Sequence, residues 1–235
     1  MKTLRIGHLY PKLLNIYGDI GNIITLKNRC NWRGIDVIID EINAGDSVIA
    51  EHDLYFIGGG QDIQQIEVSK ELQKHKEFLL AERDRGAVFL GICGGYQLFG
   101  HYYQPNNGKR LEGISLIDAY TVAGDKRYIG NVTVSTDLVE PNTLVGFENH
   151  SGLTYLQGDT KPIGKVIVGN GNNGKDKTEG AHFKNVFGSY LHGSFLPKNP
   201  NFTDYLLKLA LQENLNELDD ETENNLHKSL LNMTY

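Results

Sequence analysis

The sequence predicts an α/β fold, a mostly parallel central sheet flanked by helices, with additional short β-strands in its second half. Three observations carry that reading. The chain opens as a strand, a helix and a second strand, the unit that joins parallel strands. Residues 53–57 and 87–92 are short apolar runs that each stop in glycines and give way to helical periodicity. From residue 111 onward, short apolar runs alternate with Gly, Asn, Asp and Pro, the pattern of short strands and turns.

Taken in order, residues 4–9 read as the first strand and 10–18 as a polar, turn-forming stretch. Asp19 has the side chain of a helix cap. The helix after it sets Ile20, Ile23 and Ile24 on one face and ends before Gly34, a residue suited to a helix C-terminus. Cys30 falls in an i, i+3, i+7 row with Ile23 and Leu26 and reads as core. Residues 35–41 return as the second strand. The third, 53–57, runs into Gly58-Gly59-Gly60-Gln61-Asp62, and residues 62–85 are helical in period through Val68, Leu72, His75 and Leu79. The fourth, 87–92, meets Cys93 and a helix over 94–101. A polar loop at 101–108 precedes strand-like runs at 111–122, 130–136, 144–147, 164–168 and 185–191, with a Gly- and Asn-rich loop at 169–174. Phe202, Tyr205, Leu206, Leu209 and Ala210 make the stripe of an amphipathic helix. The acidic run 219–223 starts a final helix through Leu226 and Leu230, its charge on a solvated face.

Composition narrows the function. A chain of 235 residues suits one large domain, expected to span 1–235, and its 40% hydrophobic and 22% charged content is ordinary for a globular protein. A net charge of −6 without a basic cluster argues against a nucleic-acid partner. No apolar run approaches the roughly 20 residues of a membrane span, and the opening MKTLRIGHLYPKLL lacks a secretory apolar core, so a cytoplasmic protein is expected. With Cys30 and Cys93 alone there is no disulfide framework.

The chemistry concentrates at Cys93. Gly91-Ile92-Cys93-Gly94-Gly95 is a strand turning sharply into a helix, which needs small neighbours on both sides of the turn residue. Such an elbow sets the thiol at a helix N-terminus, where N–H groups and the dipole favour thiolate. The glycines at 58–60 follow a strand and can turn N–H groups toward a developing oxyanion. They are not a nucleotide phosphate loop, because no G-x-x-x-x-G-K-[ST] occurs. Residues 187–193 deliver His192 at a strand end, where a rigid scaffold holds the loops that carry chemistry. Cys93, His150, His182 and His192 have the spacing of no compact zinc motif, and no metal site is expected.

The FIGGGQD stretch at 56–62, the G-I-C-G-G elbow with Gln97 four residues beyond its cysteine, and the late Y-L-H-G resemble class I glutamine amidotransferase domains, in the branch that includes cobyric acid synthase glutaminases. Within it, YGDIGNI at 17–23, GFENHSG at 146–152 and GSYLHGSFLPKNP at 188–200 are similar to glutaminase subunits of lipid II isoglutaminyl synthase. The resemblance implies that L-glutamine is hydrolysed and its ammonia passed to an ATP-dependent, Mur-ligase-like partner of the MurT type. That heterodimer would amidate the D-glutamate of lipid II in peptidoglycan synthesis, without a cofactor in this subunit. Cys93 would be the nucleophile and His192 the base. The N–H groups of Gly94 and Gly60 would hold the oxyanion, Gln97 would border the substrate, and Arg127, in the loop 124–128, would bind its α-carboxylate. His150 reads as a structural or substrate-loop residue. Where many relatives have H-x-E, this chain has Ser194 two residues after His192, so either a Cys–His dyad suffices or the partner supplies a carboxylate. The rival readings are a glutaminase for a corrin-acid synthetase, a non-catalytic binding module, and a thiol hydrolase without glutamine preference.

Overall fold

The computed structural model describes residues 2–46 and 50–232. Its first half alternates as predicted: β1 (Thr3–Leu9), α1 (Ile20–Asn31), β2 (Asp36–Ile42), β3 (Leu54–Ile57), α2 (Asp62–Arg85), β4 (Val88–Ile92) and α3 (Gly94–Phe99). Short strands follow: β5 (Tyr102–Gln104), β6 (Leu111–Glu112), the long β7 (Ala119–Ser135) and β8 (Thr143–Leu156), β9 (Gly164–Val168), β10 (Thr178–Glu179), β11 (Ala181–Phe183) and β12 (Val186–Ser189). Helices α4 (Pro200–Leu211) and α5 (Glu221–Leu231) close the chain.

Two sheets result. The first has the order β11-β12-β4-β3-β1-β2 and is parallel except for the edge pair β11 and β12. Because β1 lies between β2 and β3, the chain reverses its winding there, and it is at the carboxyl ends of such strands that a ligand crevice is expected. Those ends are level: Leu9 pairs with Ile57, Ile57 with Gly91, and Ile92 with Ser189. Every residue of β3 and β4 is buried, as expected of parallel strands covered on both faces. Helix α2 buries Val68, Leu72 and Leu79 and stops at Gly86, whose φ of 101° suits a helix C-terminus. The second sheet, β10-β9-β7-β5-β6, carries β8 on β7. No helix among the described residues is long and apolar enough to cross a membrane.

The structure revises several expectations. On α1 the buried row is Ile23, Leu26 and Cys30, whereas Ile20 and Ile24 are exposed; the i, i+3, i+7 spacing, not the cluster at the helix start, marks the packed face. The run 111–122 divides into β6 and the start of β7, and the polar loop 101–108 contains β5. Residues 124–128 are no free loop but interrupt the β7–β8 pairing, which slips between Ala123 and Tyr128, and the Glu148–Gly152 stretch lies inside β8. The acidic run is not simply solvated. Asp220 from it, with Asp204 of α4, grips Arg29 of α1, which is 1% exposed and donates to both carboxylates at 2.6–2.8 Å.

Two carboxylates around a buried guanidinium are tolerable only while the guanidinium is there. Arg29→Ala is therefore expected to cost about 3–5 kcal/mol of unfolding free energy, read as a lower midpoint in urea. A loss below about 1 kcal/mol would show that this ion cluster does not anchor α1 to the C-terminal helices.

Candidate active site

Cys93 occupies the turn between β4 and α3 with φ 50° and ψ −104°, a conformation that residues with a side chain rarely adopt. The predicted flanking glycines are sterically required. A Cβ on Gly95 would come within 2.6 Å of the Ile57 carbonyl oxygen, and one on Gly91 within 2.7 Å of the Phe99 ring. Backbone bonds fix the turn: Cys93 N–H donates to the Ser189 carbonyl at 2.8 Å, and Gly95 N–H to that of Gly58 at 3.1 Å.

His192, fully buried, follows β12, and its N–H donates to the Phe147 carbonyl of β8 at 2.8 Å. Gly59 is where the two meet. A methyl group there would lie 3.3 Å from Cys93 Cβ, 3.3 Å from His192 Cε1 and 3.3 Å from Asp19 Oδ2. The topology thus joins residues 99 positions apart in the sequence at the level ends of adjacent parallel strands.

In front of Cys93 lies a cavity of about 370 Å³, walled by Gly60, Gln97 and Arg127 as well as the cysteine. Arg127 reaches it from the slipped β7 segment, and its Nε donates to Asn149 Oδ1 of β8 at 2.6 Å. Gln97 donates from Nε2 to the Tyr190 hydroxyl at 3.1 Å, and its buried Oε1 has no hydrogen-bond partner among the described residues. Gly60 N lies 3.2 Å from the point a Cβ on Gly94 would occupy, so these two backbone segments abut beside the thiol. All six residues singled out from the sequence fall in this one region.

Electrostatics departs from expectation. Burial pushes the Cys93 thiol up to about 12, and the carboxyl of Asp19 adds to that; the Gly94 N–H and Arg127 pull the other way and lose. Helix α3, only six residues long, offers little dipole against full burial. Burial also lowers His192 to about 3, helped by His150, Lys198 and Arg127. At neutral pH the resting pair is thiol and neutral imidazole.

Several residues near the site were missed or assigned otherwise from the sequence, whereas His150, read as a structural or substrate-loop residue, does line the cavity. Asp19 does not cap its helix: Asn15 Oδ1 accepts the Ile20 N–H instead, and Asp19 Oδ2 accepts the N–H of Gly59 at 2.6 Å. Gln65 of α2 donates to the Gly60 carbonyl at 3.1 Å. His150 stacks on Tyr190 with ring centroids 3.6 Å apart, and its Nδ1 bonds the Gly152 carbonyl. Glu179, fully buried, accepts from the Ser189 hydroxyl and the Tyr190 N–H, both at 2.8 Å, and so steadies the strand end that leads to His192. Only the position of Asp19 after the first strand, and of Asn149 and His150 inside GFENHSG, offered a signal. Among the described residues no group of three or more His, Cys, Asp or Glu is placed to hold a metal ion.

A family model for the CobB/CobQ-like glutamine amidotransferase domain matches residues 5–200, which contain every residue of this region. The chain belongs to that family. It is 43% identical, over 95% of its length and 93% of the relative's, to the lipid II isoglutaminyl synthase (glutamine-hydrolyzing) subunit GatD of Staphylococcus aureus. With the protein of the same name from Streptococcus pneumoniae it shares 42% over 89% of its own length and 81% of the relative's. Its architecture is also that of PurLQS from Thermotoga maritima, with a TM-score of 0.57 at 16% identity over 82% of this chain and 88% of the other. That likeness concerns the fold alone. As a family member the chain is a glutamine amidotransferase, and its resemblance to GatD spans nearly its whole length.

Burial lifts Glu179 from its ordinary 4.5 to about 7, so the folded chain holds a proton there that the unfolded chain has released. The stability this contributes is complete below about 4.5 and is lost as pH rises through about 7. Glu179→Gln should therefore gain on the parent, in urea unfolding, as pH rises from 4.5 to 7.5. Parallel stability curves for the two would show that Glu179 is not perturbed.

Proposed function

We propose that this chain is the glutaminase subunit of a lipid II-amidating enzyme. It hydrolyses L-glutamine through a Cys93 thioester and passes ammonia to an ATP-dependent, Mur-ligase-like partner of the MurT type, which converts the D-glutamate of lipid II to D-isoglutamine. The convergence of Cys93 and His192 on Gly59, behind a cavity that holds Arg127, carries the chemistry. The whole-length identity to GatD subunits supports the acceptor, the partner and a cytoplasmic setting in peptidoglycan synthesis.

The geometry suggests how each group serves. Arg127, its Nε held by Asn149, presents a planar fork for the α-carboxylate of glutamine. Gln97, held by Tyr190, turns its spare acceptor toward the substrate. The side-chain amide carbon then lies over Cys93. Because thiol and imidazole rest uncharged, the proton passes from sulfur to His192 as the sulfur attacks, rather than beforehand. The N–H groups of Gly94 and Gly60 receive the oxyanion, each such donor being worth on the order of 10²–10³ in rate. Imidazolium returns its proton to the departing ammonia, and neutral His192 activates the water that releases glutamate.

Ser194 is no substitute for the carboxylate of H-x-E, since its hydroxyl donates to the Gly18 carbonyl at 2.6 Å. Either a Cys93–His192 dyad suffices or the partner supplies the carboxylate; we take the second reading, under which hydrolysis stays low until an acceptor is at hand. Glutaminase turnover should rise on adding the ligase subunit; equal turnover with and without it would sink this part of the proposal.

The assignment is tested by reconstituting the pair and following lipid II amidation. Cys93→Ala should lower glutamine-dependent amidation by ~10³ or more while leaving amidation from free ammonium intact. If the unaltered pair amidates only from free ammonium, the role proposed here is wrong.

A further inference from the structure

The segment between β1 and α1 grips the glycine turn from both sides. Asp19, 0% exposed, accepts the Gly59 N–H at 2.6 Å, and the Ile16 N–H donates to the Gly59 carbonyl at 3.2 Å. In a trans peptide the carbonyl and the next N–H point in opposite directions. Fixing the Gly59 carbonyl on Ile16 therefore turns the Gly60 N–H the other way, toward the side on which Gly94 stands. Glycines have no side chain to oppose rotation of such a unit, and three in a row need an outside hold. The neighbourhood is built tightly for it: a Cβ on Gly58 would come within 3.0 Å of Asp19 Oδ2 and would also strike the Leu14 carbonyl.

A role in helix capping does not account for Asp19, since Asn15 does that work. Nor does an ion pair. Asp19 Oδ1 is buried with no hydrogen-bond partner among the described residues, and burial lifts the carboxyl to about 7. A buried acid with one bond made and one oxygen unserved is costly, and here that one bond goes to the turn beside the nucleophile.

We propose that Asp19 is a positioning residue of the oxyanion site: with Ile16, it locks the Gly59 unit in the orientation that offers the Gly60 N–H to the reacting carbonyl. This rests on the glutaminase reading given above. The clamp is also tied to the base, because Ser194, two residues after His192, donates to the carbonyl of Gly18, the residue before Asp19. The oxyanion donors and the imidazole thus share one support.

The test compares the parent chain, Asp19→Ala and Asp19→Asn, each in complex with the ligase subunit. Glutamine turnover and the rate of Cys93 alkylation by iodoacetamide, a reaction that forms no oxyanion, are measured on each. Asp19→Ala should lower kcat by on the order of 10² with KM changed less than about threefold and with no slowing of alkylation, since losing the Asp19 carboxyl removes one of the groups that raise the Cys93 thiol. Asp19→Asn keeps an oxygen for the Gly59 N–H and should recover kcat to within about tenfold of the parent. An alanine variant with parental kcat, or one whose alkylation falls in step with kcat, overturns the clamp, as does an asparagine variant that folds and is no better than alanine. A parent that turns over no glutamine overturns the glutaminase reading itself, and the clamp with it.

Discussion

The backbone of Cys93 is held where it does not wish to be. A non-glycine residue at φ 50° and ψ −104° costs about 1–3 kcal/mol and persists only if its surroundings leave no alternative. Here β4 is buried along its whole length between β3 and β12, so the strand cannot yield. The two bonds that pin the turn go to Ser189, at the end of the strand leading to His192, and to Gly58, the first glycine of the turn. Relaxation at the cysteine would therefore displace the histidine and the glycines together. The strained cysteine, His192 and the glycine turn form one mechanical unit.

Burial works against charge in that unit. It raises the thiol, lowers the imidazole and lifts Asp19 and Glu179 to about 7, so that each carboxyl is only about half ionised at neutral pH. Two isolated ions in the same space would be far more costly. In the proposed reaction, charge arises only once the substrate is seated, when the donors at Gly94 and Gly60 and the fork of Arg127 share it. Low polarity then strengthens each of those contacts.

Much of this was legible in the chain because it depends on local rules. Gly91 and Gly95 around Cys93 announce a tight turn, and the glycines after Ile57 announce exposed amides. His192 is marked by its place at a strand end. Arg127 was found through family likeness alone, since nothing local distinguishes a pairing slip within β7 from the free loop that Gly124 and Asp125 suggest. The charge expected at Cys93 was misread because helix position is a sequence property whereas burial is a tertiary one. Asp19 was taken for a cap on the same ground: its local role is plain in the sequence, but its partner, Gly59, lies 40 positions away. Asp220 looked solvated until Arg29, 191 positions earlier, was seen to need it.

Ser194 also bears on which side chains its position can hold. Its hydroxyl rests against Gly21 so closely that a Cβ there would collide with it, and it is bonded to Gly18. A longer acidic side chain at 194 would have to abandon that niche and release the loop that leans on it. Residue 194 is thus a strut between two loops as much as a neighbour of His192, and any larger side chain there would be felt at Gly18 and Gly21 before it reached the imidazole.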